Sequence, residues 1–88
     1  MEIKLKLYGT SKLLSDSDTL LIQLPENSNV AKLRNKLTKI ISEKHSKSNL
    51  AGLSKTAAFL SENDEVINDN YKLKNKELIS IIPPIGGG

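Results

Sequence analysis

One stretch of this 88-residue chain repeats its apolar residues at helical spacing more clearly than any other. Val30, Leu33, Leu37, Ile40 and Ile41 recur at intervals of three and four, which predicts an amphipathic helix over about residues 30–44. Asn29 supplies an N-cap after the loop Pro25-Glu26-Asn27-Ser28. Lys32, Arg34, Lys36, Lys39 and Lys44 occupy the helix's other faces and read as a solvated surface. One apolar stripe must be buried against another element. What remains in the chain to meet it reads as strand and turn.

Ile3, Leu5 and Leu7 alternate with Glu2, Lys4, Lys6 and Tyr8, the mark of a half-buried strand. Gly9-Thr10-Ser11 ends it, and Ser15-Asp16-Ser17-Asp18 is a polar turn cluster. Thr19 to Leu24 forms a second strand closed by Pro25, paired with the first as an antiparallel hairpin with a long loop. After the helix, Leu50, Ala51 and Leu53 form a short irregular return. Thr56 to Leu60 is a third strand with Phe59 inward or at an interface. Glu62-Asn63-Asp64-Glu65 is a turn, Val66-Ile67 a short edge segment, and Tyr71 and Leu73 anchor the crossing to the last strand. Leu78 to Ile82 is almost wholly apolar, which suits a central strand. The expected class is α+β: one mixed sheet with one main helix on one face, over residues 1–82, followed by a tail over residues 83–88.

Composition removes several kinds of chemistry. The chain has no cysteine and one histidine, His45, so thiolate nucleophiles, disulfides and histidine metal clusters are excluded. No metal site is expected. Glu62, Asp64 and Glu65 lie in a predicted turn and read as solvated. No run approaches the roughly 20 apolar residues of a membrane helix, and the opening residues lack the apolar core of a signal peptide. A cytoplasmic protein is expected. The net charge of +3 is modest. The helix lysines do not share one face and no aromatics are interleaved with them, so nucleic-acid binding is not expected.

The tail is the candidate functional element. Pro83-Pro84-Ile85-Gly86-Gly87-Gly88 follows the apolar strand with no linker. The two prolines offer no N–H and fix φ, so a strand ladder must stop there. Three glycines without a Cβ can lie in a narrow channel. The whole reads as a stiff exit from the fold and a thin arm ending in the Gly88 carboxylate.

The element order together with a Pro-Pro-x-x-Gly-Gly terminus resembles the small subunit of molybdopterin synthase, the MoaD family of ubiquitin-like β-grasp sulfur carriers. Gly87-Gly88 match the family's terminal pair, and Ile81-Ile82 stand where it has two apolar residues before the prolines. Leu73-Lys74-Asn75-Lys76-Glu77 resembles its Leu-x-Asp-Gly-Asp turn, with Asn75-Lys76 in place of Asp-Gly. Asn63 and the Val30-x-x-Leu33 helix start also resemble it.

The resemblance implies a β-grasp fold and a carrier that is not an enzyme alone. An ATP-dependent adenylyltransferase of the ubiquitin-activating kind would activate Gly88, and a sulfurtransferase would supply the sulfur of a thiocarboxylate. The large synthase subunit would receive the tail, in a heterotetramer that builds molybdopterin from a cyclic pterin. The carrier would bind no cofactor, ATP being used by the activating partner. Gly86 and Gly87 would give clearance, Pro83 and Pro84 a rigid launch point, and Phe59, Ile81, Ile82 and Ile85 an apolar docking surface, although ordinary core is the simpler role for Phe59, Ile81 and Ile82. The alternatives are a carrier for thiamine synthesis or tRNA thiolation, a protein modifier, and a β-grasp binding module with an inert tail.

Overall fold

The computed structural model describes residues 1–45, 50 and 52–84. Five strands form one sheet: β1 (Glu2–Leu7), β2 (Thr19–Gln23), β3 (Ala58–Leu60), β4 (Val66–Ile67) and β5 (Glu77–Ile82), in the spatial order β2-β1-β5-β3-β4. The helix α1 (Val30–Lys44) lies across one face, and a single helical turn, α2 (Leu53–Thr56), leads into β3. β1 pairs antiparallel with β2 and parallel with β5, while β3 runs antiparallel to both β4 and β5. The parallel pairing of β1 and β5 cannot be made by a hairpin; it needs the long crossover that carries α1. The sheet is therefore mixed, with the most apolar strand at its centre.

The alternation in β1 decides which face is buried. Ile3, Leu5 and Leu7 are closed from solvent while Lys4 and Lys6 are exposed. The same parity carries across the register to Ile22, Ile79, Ile81, Phe59 and Ile67. Val30, Leu33, Leu37 and Ile41 of α1 close the core from above. Asn29 Oδ1 accepts the Lys32 N–H at 3.1 Å, the expected N-cap.

Three local features depart from the sequence reading. The connection after β1 is a 3-10 helix over Gly9–Leu14, with Ser11 and Leu14 buried. The third strand begins at Ala58 and not Thr56, because Gly52, at φ 88°, starts the helical turn α2. Arg34 is not a solvated partner of the helix lysines. Its guanidinium donates to the carbonyls of Ser54 at 3.1 Å and Ala57 at 2.8 Å, and to Asp69 Oδ1 at 2.8 Å. It also stacks 4.8 Å from the Phe59 ring centre. The planar fork satisfies carbonyls that end α2 and leaves that turn no reason to extend into β3. Among the described residues, no helix is long and apolar enough to cross a membrane.

Candidate functional site

The exit of the tail is set by β5. Its last ladder partner on one side is Ala58, opposite Ile82, and on the other Leu7, opposite Ile81. Beyond these the prolines have no N–H to give, so pairing stops. Pro83 is half-buried and Pro84 exposed. Pro83 rests on the 3-10 helix: a Cβ at Gly9 would lie 3.6 Å from Pro83 Cγ and 3.8 Å from Cδ. Gly9 has φ 56°, a left-handed conformation that suits glycine. Ile85, Gly86, Gly87 and Gly88 lie outside the described residues. Six residues, 83–88, can span at most about 20 Å when extended.

Of the proposed docking residues, Phe59 and Ile81 are core. Both are 0% exposed and face α1, so they have no surface to offer a partner. The strand parity that buries them turns their neighbours outward. Ile82 and Leu78 of β5, and Ala58 and Leu60 of β3, are half-buried on the sheet face that α1 does not cover. Val66 of β4, 74% exposed, and Leu21 of β2, 56% exposed, extend this face to both edges. Lys4 and Lys6 interrupt it on β1, and Lys6 Nζ lies 5.5 Å from the Tyr8 ring centre. The face is thus an apolar strip over β5, β3 and β4 beside a basic row. Reading the alternation of β3 outward from Phe59 would have found Leu60, and that of β5 outward from Ile81 would have found Leu78.

The other end of β5 is polar. Tyr71 donates its hydroxyl to Glu77 Oε2 at 2.6 Å, and Glu77 Oε1 accepts the Lys74 N–H at 2.9 Å. The bond to Glu77, followed by burial and the negative charges of Glu77 and Glu62, pushes the Tyr71 pKa up to about 12. Glu62 Oε1 accepts the Leu78 N–H at 3.2 Å, so this turn carboxylate also serves the sheet. A groove of about 730 Å³ opens here, lined by Asn63, Asn68, Tyr71, Asn75 and Glu77. A six-residue strand separates it from the tail exit by about 17 Å. His45 stands at the C-cap of α1, its N–H donating to the Ile41 carbonyl at 2.9 Å. Among the described residues, no group of three or more His, Asp or Glu is placed to hold a metal ion.

Comparison with known proteins fits this geometry. The fold matches small archaeal modifier protein 1 of H. volcanii with a TM-score of 0.68, at 14% identity, over 96% of this chain and 98% of that one. It matches a putative molybdopterin converting factor subunit 1 of Pyrococcus furiosus with a TM-score of 0.65, at 20% identity, over 96% and 98%. It also matches a chain in the complex of subunits 1 and 2 of the molybdopterin-converting factor of Helicobacter pylori, with a TM-score of 0.59, at 26% identity, over the full length of both. No curated protein matches at the level required of a relative. The fold is thus the ubiquitin-like β-grasp, and with residues 5–88 matching the ThiS family model, the chain belongs to the ThiS family.

Proposed function

We propose that this protein is the sulfur-carrier small subunit of a molybdopterin synthase. The observation that carries the reading is a Pro-Pro-Ile-Gly-Gly-Gly arm running directly from the central strand of a ThiS-family domain. The match to a subunit of the H. pylori complex favours molybdopterin over the other pathways that use such carriers.

The only group this chain brings to the reaction is the Gly88 carboxylate, and the part of the domain is to deliver it. An oxygen of the Gly88 carboxylate attacks the α-phosphorus of ATP in the activating partner, and pyrophosphate leaves. A persulfide sulfur from the sulfurtransferase then attacks the acyl carbon, and AMP leaves. A thiol opens the resulting acyl disulfide, which leaves the thiocarboxylate. The arm then enters the large subunit, where sulfur passes to the pterin precursor and water restores the carboxylate. Gly86 and Gly87 give the arm its slim section, and Pro83 and Pro84 hold its base. The open strip of Leu60, Leu78 and Ile82 is the apolar surface on which the large subunit docks. Lys4 and Lys6 beside it favour a partner with acidic groups at the rim.

Intact-mass and C-terminal fragmentation analysis of the protein from its native cells tests this. Replacement of one oxygen by sulfur on Gly88 is expected, and restoration of molybdoenzyme activity by the full chain but not by one lacking Gly87-Gly88. A lysine isopeptide on Gly88 without any sulfur form would make the protein a modifier. A Gly88 that stays inert with ATP, activating enzyme and sulfur donor would leave only a binding module.

A further inference from the structure

The base of the arm is held by an element whose role the carrier chemistry does not explain. The 3-10 helix is closed by a reciprocal pair of bonds. The Tyr8 N–H donates to Ser11 Oγ at 2.8 Å, and the Ser11 hydroxyl donates to the Tyr8 carbonyl. Ser11 is 0% exposed, although it stands in a surface connection between two strands. Leu14 fixes the far end of the turn in the core. The Leu7 N–H donates to the Asp18 carbonyl at 2.8 Å, so the loop is closed at its neck as well. This locked turn presents the Cβ-free side of Gly9 to the Pro83 ring. Pro83 is therefore bounded by the turn on one side and follows directly on the Ile82–Ala58 pair on the other.

We propose that Gly9 is a positioning residue for the arm, and that the turn it begins is a bracket fixing the direction in which the chain leaves the domain. The proposal rests on the carrier reading for its consequence, though not for its geometry. Proline fixes its own φ, so the seat of Pro83 sets where Pro84 begins and from what point the arm starts. A misplacement of about 1 Å can cost a reaction about 100-fold. Gly9 is needed for its backbone more than for the space it leaves. A Cβ at 3.6 Å would be an ordinary contact, but φ 56° disfavours an L side chain, above all a β-branched one. Such a residue would pull the turn toward negative φ and move the floor from under Pro83.

The test compares wild type with Gly9→Val, Pro83→Ala and the double variant. Pyrophosphate release is measured with ATP and the ubiquitin-activating-like adenylyltransferase of the source organism. Each single variant should lower kcat about 10-fold or more with KM within about twofold, because the change lies at the base of the arm and leaves the rest of the domain surface as it is. The double variant should be no worse than the poorer single one, since both remove one contact. A rise in KM at unchanged kcat, losses that multiply, or a loss that follows only the unfolded fraction seen by circular dichroism would overturn the proposal. The nuclear Overhauser cross-peaks between the Gly9 Hα protons and the Pro83 ring read the bracket without any enzyme. They should be present in wild type and weakened in Gly9→Val; their absence in wild type would sink the proposal. If wild type itself is never adenylated, the carrier reading fails and the cross-peaks still decide the bracket.

Discussion

At Glu77, where β5 begins, polar bonds tie the chain to four neighbouring segments. The Lys76 N–H donates to the Glu2 carbonyl at 2.6 Å and Asn75 Oδ1 accepts the Glu2 N–H at 2.8 Å. Glu77 is bonded to Tyr71 and to the Lys74 N–H, and the Leu78 N–H to Glu62. At Ile82, where the same strand ends, the ladder closes on Ala58 and the next residue, Pro83, lies beside Gly9 with no ladder bond to make. Hydrogen bonds fix a backbone through its N–H and C=O groups, and a proline has only the second to offer. A chain that must be anchored at a proline can use contact where a normal strand would use its ladder. The difference separates a hydrogen-bonded end from a proline end within six residues.

The largest break in that comparison is removal of Gly87 and Gly88. Carrier function should be lost entirely, measured as thiocarboxylate formation, while the thermal midpoint stays at the wild-type value. A lower midpoint would mean that the arm is part of the fold. Next in size is the contrast between Ile81 and Ile82. Ile81→Ala empties a closed core position and should cost about 2–5 kcal/mol in urea unfolding. Ile82→Ala, on the open face, should cost no more than about 1 kcal/mol but weaken capture of the large subunit. Equal costs for the two would show that the open face is not open.

How far the sequence reaches can be judged at particular residues. The spacing of Val30, Leu33, Leu37 and Ile41, with Asn29 before them, marks α1 to the residue, because a helix on a sheet writes its burial as a period. The apolar run in β5 marks the centre of the sheet, yet it hides that Leu78 and Ile82 are only half-buried. Ser11 is invisible: nothing local separates it from Ser15 or Ser17, and its burial comes from a turn folded under Tyr8. Arg34 reads like the lysines around it, since its acceptors lie 20 or more residues away. Resemblance points to Phe59 and Ile81 for the docking surface, where strand parity alone puts them inside. The tail was legible in composition, whereas the bracket at its base depends on a contact between positions 9 and 83.

A smaller effect is expected at the hydrogen-bonded end. Lys76 holds φ 65° at the turn position where the resembling family has glycine. An L residue there costs about 1–2 kcal/mol, partly offset by the greater freedom glycine has when unfolded. Lys76→Gly should therefore raise stability by about 0.5 kcal/mol in denaturant titration without changing sulfur loading. A loss of stability would mean that the lysine side chain contributes more than its backbone costs.

The smallest effect, because the Tyr71–Glu77 bond is only partly buried and solvent weakens it, is a pH dependence confined to the same end. Tyr71 has its pKa raised from 10.0 to about 12, first by the bond to Glu77, then by burial and nearby carboxylate charge. The folded state therefore holds the phenol proton more tightly than the unfolded chain does. The stabilisation this gives is fully present below pH 10 and is lost as pH rises from 10 toward 12. The comparison is with Tyr71→Phe, which keeps the ring and removes the phenol proton. Wild type should be the more stable protein near neutral pH, and the gap should close across that window. Parallel curves would mean that the Tyr71–Glu77 bond contributes nothing to folding. The contact of Gly9 with Pro83 contains no titrating group, so its NMR cross-peaks should not move while the Tyr71 ring shifts. If both ends responded together, β5 would be acting as one rigid lever, and the polar end would be setting the direction of the arm.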